Sequence, residues 1–539
     1  MSRKGGIHPC VEAQMRSEEG SNFSKEKPMP KPTSAQQFIL LPPRGVVATA
    51  ATATPTITSF LNSLHSDVGA AARDVSVLKS PARRSKKRSV KVRVLDSIHE
   101  NGAKLVEVSP QAISDLRADQ PGLRIVPVVY YTPAVAPRPT IVSGPKVAAA
   151  GVSAKITVKV VSDKDGSPVG GAMVVAFTDF EARAGAQGKT NSKGEVALAL
   201  GATSKKLDRL YIFPKVNLWG ALKKGVTITS GNVFKVTPVD LSFTDGLRFF
   251  YGNSPDAAGT GLTVGVIDTG IAAHPDLVID GGQNTVLGEN PNDFGDNGEG
   301  HGTHVAGIVA ARGTPPTGIR GLAPGIRLRS YRVFGKGSGK ASNFAIAKAI
   351  DRAVADGCDL VNMSLGGGAP DDATQDAIAD ARAHGTVVIV AAGNDDRSPV
   401  SFPALDSLAI AVSAMGRKGT FPAGVAEFGD VAAPFGKPDK QNFVAAFSNI
   451  GPEIDLTGPG VGILSTFPGG HAPLGGTSMA CPAVTGAAAR LLSAPQHATI
   501  LAMNRDQARS DAMAQIVLQA GKSLGFGAGF EGQGMILLT

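Results

Sequence analysis

The sequence predicts an α/β protein: a doubly wound, mostly parallel sheet over residues 245–539, preceded by a small α+β region at 36–133 and a small β-sandwich at 140–238. Three observations carry this. From 262 onward, short apolar runs alternate with segments of helical period, the pattern of a parallel sheet covered on both faces. Between 151 and 238 the apolar period is two, as in half-buried strands. Finally, 539 residues with 42% hydrophobic and 18% charged side chains can bury several cores but are too many for one.

In chain order, residues 1–35 are polar and rich in Pro, Lys and Ser, and read as a disordered tail. Phe38–Leu41, the alternating Val90, Val92 and Val94, Lys104–Val108 and Ile125–Tyr130 read as strands. Ser109-Pro110, an N-cap followed by proline at the first helical position, opens a helix through Leu116. The linker TPAVAPRPT closes the region near 140. Ile156, Val158 and Val160 then face one way, and Asp163–Gly166 supplies a turn. Val174–Phe177, Gly194–Leu198 and Val226–Ile228 continue this strand pattern. Its spacing resembles a transthyretin-like or carboxypeptidase-regulatory-like module. Beyond it, Leu262–Ile267, Arg327–Phe334, Leu360–Met363 and Val387–Val390 are predicted strands. His301–Ala311, the face Phe344, Ile346, Ile350, Val354, and Asp371–Ala383 are predicted helices.

Composition excludes several classes. No run of 18 apolar residues predicts a membrane span. Three cysteines (Cys10, Cys358, Cys481) cannot build a disulfide scaffold, which fits a reducing compartment. The N-terminal stretch carries positive charge with no apolar h-region, so no secretory signal is visible. The net charge of +9 is local: without the seven positive charges of Arg83, Arg84, Lys86, Lys87, Arg88, Lys91 and Arg93, it falls to +2. No aromatic residues interleave that stretch, so a solvated or protease-sensitive loop is expected rather than a nucleic-acid site.

In open α/β sheets, functional groups gather beyond the carboxyl ends of strands. Asp268-Thr269-Gly270, Ser364-Leu365-Gly366 and Ala391-Ala392-Gly393-Asn394 stand there. Two glycine-flanked motifs, Gly300-His301-Gly302-Thr303-His304 and Gly475-Gly476-Thr477-Ser478-Met479-Ala480, open helices. The topology therefore gathers an acid, an imidazole, a hydroxyl and a carboxamide on one edge. Acyl transfer near neutral pH needs these types: a hydroxyl is a poor nucleophile until a base takes its proton, and a buried carboxylate orients that base. At the first turn of a helix, Ser478 gains from the partial positive charge there, and its N–H can face a developing oxyanion.

The segments VGVIDTGIAAHPDL (264–277), GHGTHVAGIVAA (300–311), NMSLGGG (362–368), VAAGND (390–395), FSNIGPEIDLTGPGVGILST (447–466) and GGTSMACP (475–482) resemble the subtilisin-like serine peptidases, over about 245–539. The order Asp, His, Ser is also that family's. The resemblance implies a subtilisin-like catalytic domain with Asp268 as orienting acid, His301 as general base and acid, Ser478 as nucleophile and Asn394 as oxyanion donor. It implies extended polypeptide substrates paired with edge strands at Gly337-Ser338-Gly339 and Ser364-Leu365-Gly366, with Ala391-Ala392-Gly393 lining a pocket for a large apolar side chain. Region 36–133, especially KLVEVSPQAISDL, resembles the family's prodomain, an intramolecular inhibitor. No cofactor is needed for the chemistry. For structural calcium, Asp276 matches one ligand of some relatives, but the loop Arg312–Thr317 lacks their asparagine. Ala483 stands where relatives have histidine, and 415–442 reads as an insertion. The family implies export, whereas the missing signal leaves the cytoplasm open.

Other readings attach to the same residues. Asp268-Thr269-Gly270 alone fits an aspartic peptidase, which needs a second such carboxylate that the chain does not repeat. Gly335–Lys340 looks like a phosphate loop, but Ala341 follows where Ser or Thr should stand. His304 reads as a packed helix residue rather than a metal ligand, and Asp293, Asp296 and Glu299 as an acidic turn. Cys481 reads as a small buried hydrophobe. The alternative from another class is a catalytically silent peptide-binding or adhesion protein on the same fold.

Overall fold

The computed structural model describes residues 35–43, 54–69, 73–76, 89–120, 122–144, 154–437 and 439–538. The predicted tail up to 34 and the basic residues Arg83–Arg88 lie outside them.

A first unit pairs β1 (Gln36–Leu41), β2 (Arg73–Ser76), β3 (Ser89–Ser97), β4 (Lys104–Val108) and β5 (Arg124–Pro127) in the order β2-β3-β4-β1-β5, every neighbour antiparallel. Two helices, α1 (Thr54–His65) and α2 (Pro110–Asp119), pack on it through Ile57, Leu61, Leu64 and Leu116 against Leu40, Val92 and Val106. The Ser109 hydroxyl accepts from Ala112 N at 3.3 Å, which caps α2 at the predicted position. The predicted strand Ile125–Tyr130 is corrected: it breaks after Pro127, which has no N–H to extend the ladder. The chain then leaves as β6 (Tyr130–Pro133), which pairs outside its own unit.

A second unit follows. Its strands are β7 (Lys155–Ser162), β8 (Met173–Asp179), β9 (Ala184–Lys189), β10 (Glu195–Ala199), β11 (Ser204–Lys206), β12 (Arg209–Phe213), β13 (Ala221–Lys224), β14 (Thr227–Thr229) and β15 (Val233–Val236). They form sheets β10-β7-β15 and β13-β12-β8-β9 and a ribbon β11-β14. Alternate residues Ile156, Val158, Val160, Val174, Ala176, Leu210 and Ile212 turn inward to one shared core.

The third and largest unit holds a nine-stranded sheet. Parallel strands β16 (Thr263–Asp268), β17 (Gly282–Asn284), β18 (Arg327–Arg332), β20 (Leu360–Met363), β22 (Val387–Ala391) and β23 (Ala409–Arg417) run in the order β17-β18-β16-β20-β22-β23. Short strands β19 (Ala341–Ser342) and β21 (Leu365–Gly366) stand apart from it. Beyond β23 the ladder turns antiparallel through β25 (Asn442–Ala445) and β24 (Val431–Phe435), of which β24 lies inside the stretch 415–442 read as an insertion. Strand β26 (Leu456–Pro459) also pairs with β23.

Alternation along the strands separates two cores. Val264, Val266, Leu360 and Ile389 face α4 (His301–Ala310) and α7 (Thr477–Leu492). Ile267, Val361, Met363, Val388 and Val390 face α5 (Asn343–Ala355) and α6 (Asp372–Ala383). Helices thus cover both faces, and β16, flanked by β18 and β20, ends where the crossovers diverge. That divergence opens the crevice in which such folds place their functional groups. The hairpin β27 (Ile463–Phe467) and β28 (Gly470–Leu474) packs on α4.

Candidate active site

Asp268 is the last residue of β16 and fully buried. Its Oδ1 accepts from Thr269 N at 2.7 Å and from His301 Nδ1 at 2.7 Å. His301 opens α4 and is 4% exposed. The two come this close because Gly302 has no side chain: a Cβ there would lie 2.4 Å from Gly270 O. The Thr269 hydroxyl receives the Gly302 N–H at 2.8 Å and clamps the helix start to the strand end. With Nδ1–H committed to the carboxylate, His301 Nε2 carries the lone pair, and among the described residues it has no hydrogen-bond partner.

Ser478 lies in the first turn of α7. Pro482 supplies no N–H, so the Ser478 carbonyl has no donor inside the helix. The Ser364 hydroxyl fills that role at 3.1 Å and is itself held by Asn362 Nδ2 at 2.9 Å. A proline inside the helix thus ties its start to the end of β20. The Ser478 hydroxyl donates to Ser364 O at 3.0 Å, not to His301; here the structure differs from the expected hydrogen-bonding succession. Asn394 sits just beyond β22, where its Oδ1 accepts from Thr477 N at 2.8 Å. Its amide nitrogen makes no hydrogen bond among the described residues.

The cleft beside these groups is filled by the chain itself. Tyr131 pairs antiparallel with Ala341, and Thr132 with Gly366. Ala134 N donates to Ser364 O at 3.0 Å, Ser478 N donates to Ala134 O at 3.0 Å, and Ala136 N donates to Gly475 O at 2.9 Å. Residues 131–136 therefore lie extended across the site, with the Ala134 carbonyl oxygen on the backbone N–H of Ser478. Of the predicted binding segments, Ser364-Leu365-Gly366 borders this strand. Gly337-Ser338-Gly339 does not: it lies in a turn held by Asn297 Nδ2 on Gly335 O and Ser338 O, and the pairing falls to Ala341–Ser342. Ala391 and Ala392 are fully buried at the end of β22, and Gly393 N donates to Thr477 Oγ1 at 3.2 Å.

The first unit docks on α5 and α6 close by. Ile39, Leu41, Ile98 and Leu105 pack against Phe344, Ala347 and Ala373. Lys348 pairs with Asp96 at 2.7 Å, and Arg124 with Asp376 at 2.5 Å and Asp372 at 3.0 Å. These contacts and helix α1 escaped the sequence reading. The signal for α1 was present in Ile57, Phe60, Leu61 and Leu64 at three- and four-residue spacing.

Neighbouring groups take structural parts. His304 Nε2 donates to Ile463 O and Ala472 O, and burial pushes its pKa down to about 3, so it stays neutral. Cys481 lies buried against Asn362 and Ile389 O, and burial raises its thiol well above the ordinary range, so it is no nucleophile. Asp296 accepts from Gly298 N and Gly300 N and closes the turn before His301. The surroundings of Asp276 do not suit calcium. Its Oδ2 already accepts from Ile319 N and His471 Nε2, both at 2.9 Å, and the loop Arg312–Thr317 offers no side-chain carboxylate or amide. His274, Asp276 and His471 bring donor atoms within 4.8 Å of one another. The His274 ring, however, spends both nitrogens on Asp276 N and Gly470 O.

Comparison with known proteins decides the class. The subtilase family matches residues 259–529. The chain belongs to the subtilase family. It is 39% identical over 241 residues to subtilisin DY of Bacillus licheniformis, covering 44% of this chain and 78% of that protein. Subtilisin Savinase of Lederbergia lenta is 38% identical over 232 residues, 43% of this chain and 76% of that protein. A thermostable alkaline protease of Halalkalibacterium halodurans is 34% identical over 292 residues, 54% of this chain and 71% of that protein. This subtilase is accordingly a serine endopeptidase, and the silent-binder alternative is not favoured. Among the described residues no helix is long and apolar enough to cross a membrane.

Proposed function

We propose that this subtilase hydrolyses extended polypeptides through Ser478, His301 and Asp268, and that residues 36–134 are its own inhibitory prodomain. The observation that carries the reading is the Ala134 carbonyl oxygen, 3.0 Å from Ser478 N beside a buried His301–Asp268 pair. The Ala134 carbonyl carbon then stands where a nucleophile attacks, which makes Ala134–Val135 the first bond cut.

In the reaction, rotation about Cα–Cβ turns the Ser478 hydroxyl from Ser364 O toward His301 Nε2, which takes its proton as Oγ bonds to the carbonyl carbon. Asp268 Oδ1 holds the imidazole in the Nδ1–H form and stabilises the cation that results. Negative charge gathers on the former carbonyl oxygen, which Ser478 N–H already meets. The free amide of Asn394, one residue removed through Thr477, adds a second donor. His301 then delivers the proton to the departing amine of Val135. Water repeats the sequence on the acyl-enzyme.

The strand pairing at Gly366 and Ala341 is main-chain recognition, which accepts many sequences. Until 36–134 departs, that same strand and the ion pairs to α5 and α6 keep other chains out. The test is hydrolysis of an unstructured protein by the full chain, alongside labelling with a fluorophosphonate. Ser478→Ala removes both activity and label; equal hydrolysis by the variant, or no adduct on Ser478, overturns the assignment.

A further inference from the structure

Tyr131, three residues before Ala134, is fully buried. Its strand β6 lies between β19 and β21, and its ring centroid lies 6.0 Å from that of Phe402. Gly368 makes room for it: a Cβ there would come within 2.3 Å of the ring. An apolar slot of this size needs only an aromatic ring, but the floor is polar. The phenol hydroxyl donates to Asp371 Oδ2, with Ala369 O a further acceptor at 2.9 Å.

Asp371 is set up for this. It caps α6, and its Oδ1 is occupied by Thr374 N at 2.9 Å and Asn343 Nδ2 at 3.1 Å, so Oδ2 is left for the phenol. It is 7% exposed, and Thr374, whose hydroxyl has no partner among the described residues, adjoins the phenol. Asn343 extends the grip to the backbone: its N–H and its Oδ1 take Val129 O and Val129 N at 2.9 and 3.2 Å. Burial, with the carboxylate next to it, holds the phenol far above its ordinary pKa, so it stays a donor.

We infer that Asp371 makes this peptidase selective for tyrosine at the fourth residue before the bond it cuts, reading the hydroxyl as well as the ring. The inference rests on the proposed peptidase function and on 131–136 lying as a substrate lies. Once 36–134 is gone, the slot empties and the next peptide must fill it. Phenylalanine fills the space but covers a carboxylate oxygen without supplying its proton. Sites built to bond a hydroxyl reject the analogue without it far more strongly than apolar slots reject a missing methylene. Asp371 keeps its other hydrogen bonds, so the expected discrimination is about 100-fold rather than the upper limit.

The experiment uses the full chain after incubation and internally quenched peptides of the sequence of 129–136, Val-Tyr-Tyr-Thr-Pro-Ala-Val-Ala, with Tyr, Phe, Leu or Lys in the place of Tyr131. The inference predicts kcat/KM for Tyr about 100-fold above Phe. In Asp371→Ser, which retains a capping hydroxyl for α6, that ratio falls to about one while cleavage of the Phe peptide persists. Gly368→Ala lowers Tyr and Phe together and narrows their lead over Leu, a reading that survives if Asp371→Ser fails to fold. Equal rates for Tyr and Phe, or Lys cleaved as well as Tyr, overturn the selectivity and leave the peptidase standing. Failure to cut any peptide, with no fluorophosphonate label on Ser478, overturns both.

Discussion

Gly476 tests whether peptides lie where the cleft strand lies. It adopts φ +146°, ψ 160°, a conformation that L side chains rarely take. An alanine Cβ there would sit 2.7 Å from Ala134 O, 2.9 Å from Ala136 N and 3.1 Å from Val135 Cα. Ordinary contact begins near 3.4 Å, so the strand must retreat by about 0.7 Å at its reacting carbonyl. A displacement of about 1 Å costs about 10²-fold in rate, so Gly476→Ala should lose about 30- to 100-fold in kcat/KM. The backbone strain itself costs about 1–3 kcal/mol of stability, a fall in Tm of several degrees. The assay compares hydrolysis of the 129–136 peptide with the rate of phosphonylation by a small fluorophosphonate, which needs no extended strand. Peptide hydrolysis should collapse while phosphonylation changes less than about fivefold. A folded variant whose kcat/KM stays within threefold of the parent would refute the placement.

Two further outcomes follow from neighbouring groups. His304 is buried with Nε2–H on two carbonyls and, among the described residues, no partner for Nδ1, and burial pushes its pKa down to about 3 from the ordinary 6.5. Its stabilising contribution is therefore complete above pH 6.5 and shrinks as pH falls toward 3, by about 1.4 kcal/mol per pH unit. Denaturant titrations from pH 7 to 4 should show a shallower acid loss in His304→Gln than in the parent; identical slopes contradict the assignment. Arg124→Ala removes the ion pairs to Asp372 and Asp376, about 1–3 kcal/mol of docking for a partly buried pair. The lag before a fresh full-length preparation becomes active should shorten about tenfold, and an unchanged lag counts against this docking face.

The catalytic unit is readable because central strands such as Leu360–Met363 and Val387–Ala391 are short, mostly apolar runs, and two of the proposed catalytic residues stand at or just past strand ends. Asp268 ends β16, Asn394 stands three residues past β22, and Ser478 lies in the first turn of α7. Local pattern failed where pairing is non-local. Ile125–Tyr130 reads as one strand, but Asn343, more than two hundred residues away, bonds Val129 on both sides and redirects the chain into the cleft. The family resemblance places an edge strand at Gly337–Gly339, yet Asn297 folds those residues into a turn and Ala341–Ser342 pairs instead. The direction of the Ser478 hydroxyl was equally invisible, since it depends on which acceptor the packing presents. Tyr131 carries no motif, and only the polar floor beneath it gives it meaning.

The chain's own cleavage tests the centre of this account. Freshly purified full-length protein is incubated beside its Ser478→Ala counterpart, and both are followed by intact mass with sequencing of the new amino terminus. The parent should split once, leaving a fragment that starts at Val135, while the variant keeps its mass. The same fragment from the variant, or a parent cut only at some bond other than Ala134–Val135, would contradict it.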